Sequence, residues 1–225
     1  MCSVSGDIWS MLQEIKTKGI VLSAAPYGEY DKRLVLLSET EGRITVFANG
    51  IRKQNSRLSA AGQSFVMGEF TLRQGRDTYT LVGAEIKESF IEMSYDMEKM
   101  CYASYFCEFT SYYTREGLAA ADELNLLYLS FKALLSDSIS DKTVKLAFEL
   151  KLMDIEGEVP EVSGFGRLDK DVEYVIRYIL SAPLSKLYSF NLDDDLADRL
   201  GSINQKLIGK LVDKEFKSLK ILEGL

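Results

Sequence analysis

Histidine is absent from this 225-residue sequence. That absence excludes a Ser–His or Cys–His catalytic pair, an imidazole metal ligand and a histidine proton shuttle. Cysteine is scarce. Cys2, Cys101 and Cys107 are too few and too uneven for a disulfide framework, and three thiols without imidazole fall short of a four-ligand structural zinc site. Cys101 and Cys107 stand six apart in a helical segment, about 240° around the axis, so they face different ways and read as small buried hydrophobes of a reducing cytoplasm. The first twenty residues contain Asp7, Glu14, Lys16 and Lys18 and no long apolar run, which argues against a signal peptide or a membrane span. No Gly-x-x-x-x-Gly-Lys run marks a nucleotide loop. Gly164 and Gly166 begin a run to Asp169 that lacks the third glycine and the preceding strand of a dinucleotide site, so it reads as a loop. The expectation is a protein without catalytic residues, metal or cofactor.

What is present divides into two periods. From Lys16 to Phe90 the pattern is of short strands, at Gly19–Ala25, Arg33–Ser38, Arg43–Ala48, Ser64–Arg73 and Thr78–Ile86. They are broken by Pro26-Tyr27-Gly28, Glu41-Gly42, Asn49-Gly50 and Gly75-Arg76-Asp77, all with turn chemistry. Five short strands without helices long enough for parallel crossovers suggest a small antiparallel barrel, with an OB-type barrel the natural size match and an SH3-like barrel the alternative. After Phe90 the period becomes helical. Met97, Cys101, Tyr105 and Phe109 recur every four positions, and further helices are expected at Asp122–Leu135, Asp141–Ile155 and Asp169–Leu180. A last helix begins near Asp193, where Asp193-Asp194-Asp195 suits the positive end of a helix dipole. Its stripe of Leu192, Leu196, Leu200, Ile203, Leu207 and Leu211 fits one face of a packed helical domain, or a face that fills a partner's groove. The expected class is therefore α+β in two parts: an extension over residues 1–15, an OB-fold barrel over 16–90 and an all-α domain over 91–225. Ile8, Trp9, Met11, Leu12 and Ile15 would form a helical turn or two in the extension.

The formal net charge of −7 argues at first against a nucleic-acid partner. Residues 1–90 nevertheless carry +1, and residues 91–225 carry −8. Between Glu41 and Glu69 there is no acidic residue, while Arg43, Arg52, Lys53 and Arg57 lie in that interval. At physiological salt the Debye length is roughly 8 Å, so such a loop acts largely independently of distant carboxylates and can meet a phosphate backbone. If Ile44, Val46 and Ala48 face the barrel core, Arg43, Thr45, Phe47 and Asn49 face outward. An exposed Phe beside Arg is the pairing that single-stranded nucleic acid uses, although Phe47 could instead pack under the helical half.

These segments, in order, resemble the RecO family of bacterial recombination mediators. The likeness begins at Gly19-Ile20-Val21-Leu22 and Tyr27-Gly28-Glu29-Tyr30-Asp31-Lys32. It continues through Gly42-Arg43-Ile44-Thr45-Val46-Phe47-Ala48-Asn49-Gly50-Ile51-Arg52-Lys53 and Ser56-Arg57-Leu58. Glu85–Phe90, Tyr102–Phe106 with Glu108, Phe148–Met153, Ser181–Leu184 and Lys217–Lys220 complete it. The resemblance implies an OB barrel followed by a helical domain, and an ATP-independent role in binding single- and double-stranded DNA. It implies annealing of complementary strands and help in loading recombinase onto DNA coated by single-stranded-DNA-binding protein (SSB). The implied partners are DNA, RecR and the acidic, apolar C-terminal tail of SSB, in the cytoplasm at the nucleoid and away from membranes. A protein-interaction adaptor with little DNA affinity of its own is the alternative. Lys32, Arg43, Arg52, Lys53 and Arg57 match basic positions of the family's barrel motif, and Arg33, Phe47 and Arg73 complete the expected DNA-contact set. Lys142, Lys145 and Lys151 are the expected tail-binding residues, against their reading as solvated lysines on a helix. Two departures stand out. The segment Val159–Gly166 has no cysteine where many relatives carry a Cys-x-x-Cys zinc module, and Asn49 stands where a basic residue is common.

Overall fold

A computed structural model describes residues 14–76, 78–222 and 224. The chain forms two compact units: one holds the strands together with Thr114–Ala120, the other holds Phe90–Tyr113 and the chain from Ala121 onward.

The first unit contains β1 (Glu14–Tyr27), β2 (Asp31–Ser38), β3 (Gly42–Ala48), β4 (Val66–Gln74) and β5 (Tyr79–Ser89). In β3 the alternation sends Ile44, Val46 and Ala48 into the interior and leaves Arg43, Thr45 and Phe47 half-buried outside. The interior is a single apolar cluster in which Val21, Leu34, Leu36, Ile44, Phe70 and Leu72 are almost fully buried. The strands close in the order β1-β2-β3-β5-β4, antiparallel except for a short parallel contact between β3 and β5. That is a five-stranded OB-type barrel. β1 is longer than its local pattern predicts because it serves two partners. Residues Glu14–Ile20 pair with β4, and Gly19–Tyr27 pair with β2. A register shift between Val21 and Ser23 breaks the alternation where the strand passes from one partner to the other. Ile15 accordingly belongs to the barrel and not to a helical turn; the rest of the expected turn, like Cys2, lies outside the described residues.

Thr114–Ala120 sits far from the strands in sequence yet is part of this unit. Its backbone pairs with the β2–β3 turn: Gly117 N–H donates to Glu41 O at 2.9 Å and Ala120 N–H to Glu39 O at 3.1 Å. Gly42 permits that approach. Its φ is +66°, and a Cβ there would stand 2.1 Å from the Arg115 carbonyl oxygen.

The second unit contains α1 (Met97–Tyr113), α2 (Ala121–Leu134), α3 (Asp141–Ile155), α4 (Lys170–Ser181), α5 (Asp194–Leu211) and α6 (Lys217–Leu222). On α1, Cys101, Tyr105 and Phe109 are buried as their spacing requires, whereas Met97 in the first turn is 57% exposed. Phe106 stacks on Phe148 of α3 with ring centroids 4.2 Å apart. Burial pushes the Cys101 thiol up, and does so more strongly for Cys107. Ser140 caps α3 and Asp193 caps α5, each accepting from a backbone N–H three residues on. Asp195 pairs with Arg199 one turn along, so two of the three consecutive aspartates serve the helix itself. Within the α5 stripe only Leu200 is fully buried; Ile203, Leu207 and Leu211 remain half-exposed. Among the described residues no helix is long and apolar enough to cross a membrane.

Candidate nucleic-acid interface

One end of the barrel gathers the β1–β2 turn, the β3–β4 connection and the β4–β5 turn. A single register row crosses its outer face there. Arg33 on β2 opposes Phe47 on β3, Phe47 pairs with Thr80 on β5, and Thr80 opposes Arg73 on β4. Three strand spacings separate the two arginines, about 14 Å. The aromatic face between them is widened by the β1–β2 turn. The Tyr27 ring, 54% exposed, meets Phe47 edge-on with centroids 5.0 Å apart, and Tyr30 is 46% exposed beside it.

The basic loop is folded onto this aromatic turn. Gly50 N–H donates to Asp31 Oδ1 at 2.6 Å, and Arg52 N–H donates to Tyr30 O at 2.9 Å. Lys53 Nζ lies 5.8 Å from the centre of the Tyr30 ring, a cation–π contact, and buried Ile51 anchors the loop to the core. Gly62 lets the loop close, since a Cβ there would meet Ile51 Cδ1 at 2.5 Å.

Among the described residues, the nearby carboxylates are engaged. Glu29 hydrogen-bonds the Tyr30 hydroxyl and thereby raises the phenol's pKa, Asp31 accepts from Gly50, and Glu14 pairs with Arg73 at 2.9 Å. Among the described residues no carboxylate pairs with Arg33, Arg52, Lys53 or Arg57, all of which are exposed. The surface therefore joins uncompensated positive charge to aromatic rings, the two elements that hold a phosphate backbone and unpaired bases.

The expected set does not all converge here. Arg43 lies at the far end of β3, about 13 Å from Phe47 along the strand. Its Nε donates to Thr114 O at 3.1 Å, so its guanidinium secures the Thr114–Ala120 segment. Lys32 points to the barrel's interior side, and its Nζ donates to Gly62 O at 2.6 Å. Tyr27, Tyr30 and the exposed Arg76 of the β4–β5 turn join the surface without having been singled out. The tyrosines flank the turn glycine Gly28 in a segment that carries the family resemblance, but nothing in the sequence marks their rings as exposed beside Phe47.

The three lysines of α3 also separate. Lys142 and Lys145 line one cleft with α5, whereas Lys151 is on another side of the helix, donating to Leu180 O at 2.7 Å. Each is paired with a carboxylate: Lys142 with Asp198, Lys145 with Glu149 and Lys151 with Asp154. Glu149 is only 1% exposed. It accepts from the Tyr105 hydroxyl at 2.7 Å and from Asn204 Nδ2 at 3.0 Å, which ties α1, α3 and α5 together.

A closed OB barrel with an aromatic and basic end, followed by a helical unit, defines an OB-fold protein of two parts. The chain matches the family models described as "Recombination protein O N terminal", over residues 11–90, and "Recombination protein O C terminal", over residues 94–164. It belongs to the RecO family of DNA repair proteins. It is similar to the DNA repair protein RecO of Acetivibrio thermocellus, 25% identical with 94% of this chain and 97% of the relative covered. The Alkaliphilus metalliredigens RecO is 36% identical over 66% of this chain and 61% of its own length. The Clostridium perfringens RecO is 26% identical, with 93% and 97% covered. The matched descriptions and the relatives' names are those of recombination and repair proteins.

Proposed function

We propose that this protein binds single-stranded DNA across the aromatic and basic end of its barrel, and acts there as a recombination mediator without ATP. The observation that carries this reading is the row Arg33–Phe47–Thr80–Arg73, backed by Tyr27, Tyr30 and the loop cations Arg52, Lys53 and Arg57. Bases stack on Phe47 and the tyrosines, while the backbone passes the arginines and Lys53. Duplex DNA uses the same cations through its phosphates, without stacking. Lys32 and Arg43 keep the surface in shape rather than touching the strand.

From family membership we extend the proposal to annealing of complementary strands, loading of recombinase onto SSB-coated DNA, work alongside RecR, capture of SSB's acidic tail by the helical unit, and a cytoplasmic place at the nucleoid. Fluorescence anisotropy with a labelled oligonucleotide across a salt series tests the core of it. Replacing Arg52, Lys53 and Arg57 together should weaken binding and flatten the log-affinity against log-salt slope by about 0.7 per lost single-strand contact. Unchanged affinity and slope in the folded triple variant would reject the reading in favour of an adaptor that does not itself hold DNA. A strand-annealing assay with SSB, intact or lacking its tail, tests the mediator role.

A further inference from the structure

We infer that a cleft between α4 and the start of α5 docks a segment of a partner protein that carries an arginine beside an aliphatic side chain. The cleft, about 460 Å³ in volume, lies within the helical unit, between one face of α4 and the chain from Ser189 to Leu196. That falls in the range of about 300–1,000 Å³ usual for ligand clefts. Asp171, Tyr174 and Tyr178 follow one another at steps of three and four, so they share one face of α4. The Tyr174 ring is left 71% exposed. Across from this face, Phe190, Leu192 and Leu196 make an apolar wall, each half-buried. Both walls are held in place. Tyr178 meets Phe190 edge-on with centroids 5.1 Å apart, and its hydroxyl donates to Lys186 O at 2.8 Å. Asn191 Oδ1 accepts from Ser140 N–H at 3.2 Å and from the Thr143 hydroxyl at 2.9 Å, which ties the second wall to the start of α3. A groove already in shape loses little ordering entropy when it is filled.

The sign of the charge selects the occupant. Among the described residues Asp171 is the one charged residue on the walls, and Asp193 and Asp194 follow Leu192 at the rim. Among the described residues no cation pairs with any of these three carboxylates. Acids in a first helical turn ordinarily offset the helix dipole, and Asp193 also caps α5. Each dipole end amounts to only about half a unit of positive charge, so three carboxylates at two helix ends leave the rim negative by about two units. Residues 91–225 as a whole carry −8 and reinforce that sign. A phosphate backbone or an acidic segment is repelled here, and a neutral apolar segment leaves Asp171 unanswered. A guanidinium answers ring and carboxylate at once: its plane stacks on Tyr174 while its N–H fork reaches Asp171, three residues back on the same face. The aliphatic neighbour then fills the space against Phe190, Leu192 and Leu196. This docking surface does not depend on the DNA-binding reading of the barrel, and it takes a segment opposite in charge to the tail of SSB.

The test is fluorescence anisotropy of the full chain with a fluorescein-labelled synthetic decapeptide in which arginine alternates with leucine. Saturable binding is expected, weakened about fivefold by Tyr174→Ala, the worth of one cation–π contact. Tyr174→Phe keeps the ring and should hold the affinity within about twofold. Asp171→Asn should weaken binding in the same direction as Tyr174→Ala. Both positions are exposed, so neither substitution should disturb the fold, which circular dichroism checks. Asp122→Asn makes the same charge change in the first turn of α2 and should leave binding unchanged. A peptide with serine in place of leucine should bind more weakly. Absence of saturable binding by the unaltered protein overturns the proposal, as does binding indifferent to both Asp171→Asn and Tyr174→Ala. Equal losses in Asp122→Asn and Asp171→Asn would mean a general attraction of opposite charges and overturn it too. A dimer in sedimentation velocity that Tyr174→Ala dissociates would seat a second copy of the chain in the cleft, against the partner segment. Oligonucleotide binding should be the same in every variant, so a failure here leaves the DNA-binding reading standing; its loss in the cleft variants would make this face a nucleic-acid surface and overturn the proposal.

Discussion

Arg33 and Phe47 oppose each other on β2 and β3, both on the outer face of the barrel, and the Tyr27 ring rests edge-on against the Phe. Charge and ring are thus neighbours across one strand spacing, about 4.8 Å. In the proposed binding mode their two contributions are separable, because one is sensitive to salt and the other is not.

Phe47→Ala should cost about 1–3 kcal/mol of single-strand affinity, the usual worth of one base on an aromatic ring. It should leave the salt slope unchanged and affect duplex binding little. Arg33→Ala should instead reduce the slope by about 0.7. Anisotropy titrations at three or more salt concentrations measure both, and identical signatures for the two variants would contradict the assignment.

Arg43→Ala should behave as a stability variant. Its guanidinium bond to Thr114 O is lost, a charged hydrogen bond worth about 1.5–3 kcal/mol. Urea unfolding should register the loss while single-strand affinity at low salt stays within about twofold, less than half the effect of one phosphate contact. Gly42→Ala should be worse, since it combines a positive φ with a clash against the Arg115 carbonyl.

Lys145 matters through Glu149. Removing its ammonium, 2.8 Å from a carboxylate that is 1% exposed, leaves a buried charge whose remaining donors among the described residues are Tyr105 and Asn204. Lys145→Ala should therefore destabilise by about 3–5 kcal/mol, read by urea denaturation. The double variant Lys145→Met/Glu149→Gln should recover much of that loss, because the unpaired charge is then gone.

The thiols of α1 should make stability fall at alkaline pH. Burial raises the folded pKa of Cys107 well above the ordinary value of 9.0, that of Cys101 less, and the Tyr102 phenol is pushed up to about 12 from 10.0. The unfolded chain loses these protons first, so their contribution is fully present below the unfolded pKa and lost as pH rises from 9 towards the folded values. Urea midpoints across pH 8–11 should decline, and Cys107→Ala should make the decline shallower. At pH 8 iodoacetamide should leave Cys107 unmodified in the folded protein, as peptide mapping would show.

Much of the fold is legible along the chain because its determinants are local. The i, i+4 spacing of Cys101, Tyr105 and Phe109 marks α1, the Ser140 cap and the run that follows bound α3 at Asp141–Ile155, and alternation in β3 sorts Phe47 from Val46. Met97 misleads because a first-turn residue keeps the period without having a neighbour to cover it. The length of β1 was not legible, since residues 14–18 owe their strand to β4, more than fifty positions away.

The candidate site divides along the same line. Sequence alone determined that a short acid-free stretch holds Arg43, Arg52, Lys53 and Arg57 and that histidine chemistry is excluded, and it placed Phe47 outside only on condition that Ile44, Val46 and Ala48 face the core. Only the tertiary structure decided which of those charges are available. It spent Arg43 on Thr114 and Lys32 on Gly62, and it brought Arg73 and Thr80 into register with Phe47. It also paired each of Lys142, Lys145 and Lys151 on α3 with a carboxylate of the chain itself. The reason is physical: a residue's charge and period are properties of the chain, but whether a charge meets a carbonyl, a carboxylate or a ligand depends on strand register and helix rotation, which long-range pairing sets.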